Sequence, residues 1–176
     1  MIKCAELTRT GVGLPAYYND EVIIPALMSR GVTLADAREY GIIGCVEPQK
    51  PFKTDGWHDA AFFNMCRPLE LVFSNGVDKG AQIRIKTGNV EDMTTFEEFY
   101  NAYKAQETYM IGLMVNAINA IDTAHSERVP LPFLSCMVED CVKEGKTVQE
   151  GGAHYNFTGP QGFGIANMAD GLWAVK

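Results

Sequence analysis

The chain has 176 residues, enough for one ordinary domain. Its 47% hydrophobic and 21% charged residues exclude a disordered polymer. A formal net charge of -7, with Lys50, Lys53, Lys79, Arg84 and Lys86 scattered singly, argues against nucleic acid or an anionic membrane as partner. No apolar run approaches a membrane span and Met1 to Glu6 lacks a signal-peptide core, so the expected location is the cytoplasm. Five cysteines, an odd number without a secretory leader, do not suggest a disulfide framework; Cys136 and Cys141, five apart, do not have a zinc-knuckle spacing, and with three histidines a dedicated zinc site is not expected.

In chain order, Asn19-Asp20 caps a largely buried helix that ends at Gly31. Thr33 to Asp36 is a capping-box-like start for a short helix to Glu39. The apolar run Tyr40 to Ile43 predicts a strand leading into Gly44-Cys45-Val46-Glu47-Pro48, with Pro48 stopping it. If that segment is extended, Cys45 and Glu47 point to the same side, and a thiol and a carboxylate aimed at one pocket can share a substrate. A polar loop follows from Gln49 to Trp57. Ala60 to Phe73 reads as a helix kinked at Pro68 and stopped by Asn75-Gly76, which makes Asp59 a candidate N-cap. Gln82 to Lys86 alternates as a surface hairpin strand.

Thr94-Thr95 opens the longest helix, with Phe96, Phe99, Tyr103, Met110, Leu113, Met114, Ala117 and Ile121 at helical spacing to about Ala124. Pro130 and Pro132 close that region, and a short apolar-then-acidic element runs from Cys136 to Lys143. His154 to Phe157 reads as a strand, Gly159 to Gly162 as a turn, and Ile165 to Val175 as a final helix without a C-terminal cap. The glycines from Gly159 to Gly164 lack the Gly-Lys-Ser/Thr ending of a phosphate loop. Alternating strands and helices predict an α/β arrangement with a parallel sheet, and no linker or repeat divides residues 1–176.

Three long phrases carry a resemblance: Leu14-Pro15-Ala16-Tyr17-Tyr18-Asn19-Asp20-Glu21; Gly44-Cys45-Val46-Glu47-Pro48-Gln49 continuing through Gly56-Trp57-His58-Asp59-Ala60-Ala61-Phe62-Phe63-Asn64; and Gln149 through Gly162. Together they resemble the pyruvate formate-lyase-like glycyl radical enzymes, most closely the B12-independent glycerol and diol dehydratases, over essentially the whole chain. The resemblance implies part of a ten-stranded α/β barrel whose finger loop carries the radical cysteine. Cys45 matches the thiyl cysteine, Glu47 the acid/base partner that draws the proton from a substrate hydroxyl, and Asp59 a carboxylate that hydrogen-bonds substrate hydroxyls. The bland readings are a core thiol for Cys45, a loop carboxylate for Glu47 and a helix cap for Asp59. Packing is the expected role for Cys66, Cys136 and Cys141 and a structural one for His58, while His154 and Tyr155 stand between packing and the rim of a pocket.

The implied reaction is dehydration of a small diol or triol, such as glycerol or propane-1,2-diol. The alternatives are a formate acetyltransferase-like or choline/amine C–N lyase relative, or a non-catalytic truncated remnant. A single cysteine between Gly44 and Val46, where pyruvate formate-lyase has two adjacent ones, speaks against acetyl transfer. No bound cofactor or metal is implied. The expected radical is a glycyl radical of the full-length enzyme, installed by a radical-S-adenosylmethionine activating enzyme. The partners expected are that activase and a small-molecule substrate, with a homodimer left open. The family is several times longer, and its Arg-Val-x-Gly signature is absent from these residues, since Arg128-Val129 runs into Pro130. The chain therefore reads as a central fragment, incomplete as a catalyst, without the C-terminal glycine-radical domain.

Overall fold

The computed structural model describes residues 1–82 and 84–176, which form two compact units, Met1–Thr54 and Asp55–Lys176. In the first unit, α1 (Ile2–Thr8) precedes α2 (Asp20–Ser29). Asn19 caps α2 as expected, its side chain accepting from the Glu21 N–H at 3.0 Å, and Gly31 ends it with φ +91°. The helix is not largely buried: among its residues only Leu27 is, and Val22 and Met28 are exposed. α3 (Leu34–Ala37) starts at Thr33, whose hydroxyl accepts from the Asp36 N–H at 3.2 Å. Lys53 and Asp36 form an ion pair at 3.2 Å, and the Tyr40 hydroxyl donates to Asp20 at 2.6 Å.

β1 (Gly41–Ile43) and β2 (Glu47–Gln49) form an antiparallel hairpin with Ile43 opposite Glu47 and Ile42 opposite Pro48. Pro48 therefore lies inside a strand rather than stopping one. Each strand of a two-stranded pair has an open edge, where a missing N–H costs little. β3 (Thr54–Asp55) follows in the chain.

The second unit opens with β4 (His58–Asn64), where the sequence suggested helix from Ala60. The helix α4 (Cys66–Phe73) begins only after it, and Pro68 sits in its first turn, where a missing N–H leaves no helical bond broken. β5 (Val77–Asp78) and β6 (Ala81–Gln82) form a short hairpin. Of the strand expected over residues 82–86, only Gln82 is in a strand, Arg84 to Lys86 are irregular, and Ile83 lies outside the described residues. α5 (Phe96–Arg128) runs 33 residues from a capping box: Thr95 Oγ1 accepts from the Glu98 N–H at 3.3 Å, while Glu98 Oε2 accepts from the Thr95 N–H at 2.9 Å.

α6 (Pro132–Ser135), α7 (Cys141–Glu144) and β7 (Tyr155–Asn156) lead to β8 (Gly159–Phe163). β8 is a strand, not the expected turn, and it pairs parallel with β4, Ala61 opposite Pro160 and Asn64 opposite Phe163. α8 (Ile165–Val175) follows, as expected. Leu69 and Val72 of α4, with Phe99, Ala102 and Tyr103 of α5, form the core, and Met168 and Leu172 of α8 pack against it. Gly171 permits the close approach of α8: a Cβ there would stand 2.7 Å from Leu69 Cδ2. The β4–β8 pair with its flanking helices is an α/β arrangement. Among the described residues no helix is long and apolar enough to cross a membrane.

Candidate active site

Cys45 stands in the three-residue turn, Gly44 to Val46, that joins β1 to β2. The expectation that Cys45 and Glu47 share one face of an extended segment is corrected here. Cys45 is exposed at the tip of a hairpin, and Glu47, in the next strand, is buried at 7% exposure. The two are brought together differently: Glu47 Oε2 accepts from the Cys45 N–H at 2.9 Å and from the Val46 N–H at 2.9 Å. Two successive amides converging on one oxygen make a small anion cradle, and the charge on the carboxylate strengthens both bonds. Gly44 makes the geometry available. Its φ is +56°, and an added Cβ would lie 2.7 Å from Glu47 Oε2.

On its other side, the Cys45 carbonyl accepts a hydrogen bond from the Tyr18 hydroxyl. Tyr18 lies in the first of the phrases that carry the resemblance, but nothing in local spacing links it to a cysteine 27 residues on.

Asp59 belongs to the second unit and is not a helix cap, since helix begins seven residues later at Cys66. It sits in β4 with φ +60°, where the register slips between His58 and Ala61. Such an irregularity re-aims a side chain that regular alternation would place elsewhere. The Asp59 carboxylate accepts a hydrogen bond from the Gln161 amide of β8, a partner that sequence spacing did not single out because it lies 102 residues on.

The remaining thiols and histidines sort by environment. Cys66 Sγ contacts the Gly164 carbonyl at 3.4 Å, and Cys141 is buried, with burial pushing its thiol pKa up. Cys136 is exposed, contrary to the packing role expected of it. His154 Nδ1 lies 2.6 Å from Asp140 Oδ2 and its ring meets Tyr155 edge-on at 4.5 Å. With Glu139 these two residues place three potential metal-ligand atoms within 4.8 Å of one another. The pairing holds Asp140 below the ordinary carboxylate pKa.

Comparison with known proteins gives the family. The family model described as "Pyruvate formate lyase-like" matches residues 1–176, and the chain belongs to that family. It is similar to the (2S)-3-sulfopropanediol dehydratase of Klebsiella oxytoca, 39% identical over 99% of this chain and 21% of the relative. Two solved structures are more similar. One, from Roseburia inulinivorans and described for 1,2-propanediol dehydration, is 69% identical, with a TM-score of 0.91 over 99% of this chain and 22% of that one. The other, the glycerol-bound B12-independent glycerol dehydratase of Clostridium butyricum, is 64% identical, with a TM-score of 0.92 at the same coverage. The chain thus spans about a fifth of the length of the proteins it matches, and its fold is one part of a larger glycyl radical enzyme α/β fold.

Proposed function

We propose that these 176 residues are the central segment of the catalytic domain of a glycyl radical dehydratase acting on a small diol or triol such as glycerol or propane-1,2-diol. The observation that carries this reading is an exposed thiol at a glycine-initiated hairpin tip with a buried carboxylate folded beneath it. Support for the substrate class comes from the propanediol- and glycerol-related structures at 69% and 64% identity, against 39% for the sulfopropanediol enzyme.

In this reading Cys45, as a thiyl radical, takes a hydrogen atom from the hydroxyl-bearing carbon, forming S–H and leaving a carbon radical. Glu47 accepts the proton of that hydroxyl. The neighbouring hydroxyl leaves as water on gaining a proton equivalent to the one Glu47 took up, so that Glu47 ends as the carboxylate it began as. The product-side radical then recovers the hydrogen atom from the Cys45 thiol, so sulfur ends as it began. Asp59, with the Gln161 amide fixing its orientation, holds the substrate hydroxyls. The radical is generated on a glycine outside these residues, which contain no Arg-Val-x-Gly signature, by a radical-S-adenosylmethionine activase.

The test is a chimera in which this segment replaces its counterpart in the Clostridium butyricum enzyme. The expected chimera dehydrates glycerol or propane-1,2-diol, and Asp59→Ala raises KM for the diol more than it lowers kcat. A chimera that carries the glycyl radical but dehydrates neither would overturn the assignment, and an Asp59→Ala loss confined to kcat would remove its substrate-binding role.

A further inference from the structure

We infer that Glu47 divides its carboxylate between two tasks and that, with Tyr18, it is a positioning residue for Cys45. Oε2 latches the hairpin tip by holding the Cys45 and Val46 amides, and this task stands beside the proton exchange with substrate that the dehydratase reading gives the carboxylate. The proton-transfer half of this inference rests on the dehydratase reading, and the latch does not.

A hairpin turn by itself requires none of this. The β1–β2 pairing already closes the hairpin, yet one oxygen of a buried side chain is directed at two consecutive amides of the tip. Tyr18, from a segment 27 residues earlier, bonds the carbonyl of the same cysteine. The Cys45 backbone is therefore bonded on both its N–H and its C=O, while its thiol is exposed. The freedom that remains to the sulfur is side-chain rotation. That suits a group required to meet two hydrogen-atom partners in turn, because misplacement by even an ångström is costly in such a step. Gly44 fits the same device, since any larger residue would press on Oε2.

Glutamine separates the two tasks. Its amide oxygen can accept from both tip amides, but it cannot accept a proton as a carboxylate does. The experiment is residue-resolved amide exchange with carbonyl carbon shifts, by NMR on the 176-residue chain, for the unaltered protein, Glu47→Gln, Glu47→Ala and Tyr18→Phe. Amides within α2 serve as the reference for an intact first unit. Cys45 and Val46 should be protected in the unaltered protein and in Glu47→Gln. In Glu47→Ala they should exchange about tenfold faster, the loss of one net hydrogen bond at each. Tyr18→Phe should move the Cys45 carbonyl carbon upfield while leaving the amides latched. Equal exchange at Cys45 and Val46 in the unaltered protein and Glu47→Ala would overturn the latch. An unmoved carbonyl shift would remove Tyr18 from it. In the chimera, Glu47→Gln should lose turnover with the latch intact, and retained turnover would overturn the proton-exchange task. Because the exchange measurement needs no catalysis, an inactive chimera with a latched tip refutes the dehydratase reading alone. Cys45-dependent turnover over an unlatched tip refutes the latch alone.

Discussion

Exposure and charge separate Cys45 from Cys141 although both are thiols in the same chain. Cys45 is exposed at a turn, whereas Cys141 is 2% exposed and its pKa is pushed up, first by burial and then by the Asp55 carboxylate. Thiolate is the nucleophile, so a buried thiol with a raised pKa reacts only through opening of the fold. Alkylation followed by mass spectrometry should modify Cys45 and Cys136 early and Cys141 only once denaturant is added. Early modification of Cys141 would show that the Cys141–Val148–Ala153 cluster is not closed. At this scale the sequence was legible in identity more than in geometry. The Cys45–Glu47 spacing implied two side chains on one face, whereas the carboxylate meets the Cys45 backbone and the thiol stands exposed. That the meeting is a carboxylate under two amides could not be read, because the hairpin turns between the two residues. Tyr18 and Gln161 were invisible as partners because tertiary structure, not spacing, delivers them.

At the scale of elements, local side-chain signals were the reliable ones. Asn19, Thr33 and Thr95 each start a helix through a hydrogen bond encoded within three residues. Thr95→Ala should cost about 1 kcal/mol of unfolding free energy, measurable by denaturant titration; no change would mean that the Glu98 half of the box suffices. Ala60-Ala61-Phe62-Phe63 was misread because a short apolar run suits a buried strand as well as a helix, and its partner β8 lies about a hundred residues away. Gly159-Pro160-Gln161-Gly162 looked like a turn by composition. Among the described residues β8 pairs with β4 alone, and proline is tolerated on an edge that such a pair leaves open.

Asp55, the last residue of β3, carries a pH signature. Burial raises the Asp55 pKa, the Trp57 N–H offsets part of this, the Asp122 charge on α5 adds to it, and His58 lowers it. A raised carboxyl pKa means that the folded state holds its proton more tightly than the unfolded chain does. Stability from this group is thus present below the unfolded value of about 3.9 and is lost as pH rises through the folded value. Asp55→Asn, which keeps an acceptor for Trp57, should have the higher melting temperature at neutral pH, with the advantage fading in acid. A lower melting temperature at neutral pH would show that the charge is compensated.

For the whole molecule, the α/β class was legible from alternating elements and the family from three phrases, because these depend on residue identity and order; the β4–β8 parallel pair was not, since the sequence reads one of its strands as helix and the other as turn. The division into two units falls within the stretch Pro48 to Gly56, whose prolines, glycine and charges mark a loop in the sequence without marking it as a boundary between units. The proposed dehydration depends on Cys45 being the atom-transfer group. The most direct measurement is diol turnover by the activated chimera with and without Cys45→Ala, at matched glycyl radical content determined by electron paramagnetic resonance. The prediction is an intact glycyl radical signal with turnover reduced to background in Cys45→Ala. Turnover equal to that of the cysteine-bearing chimera would contradict it.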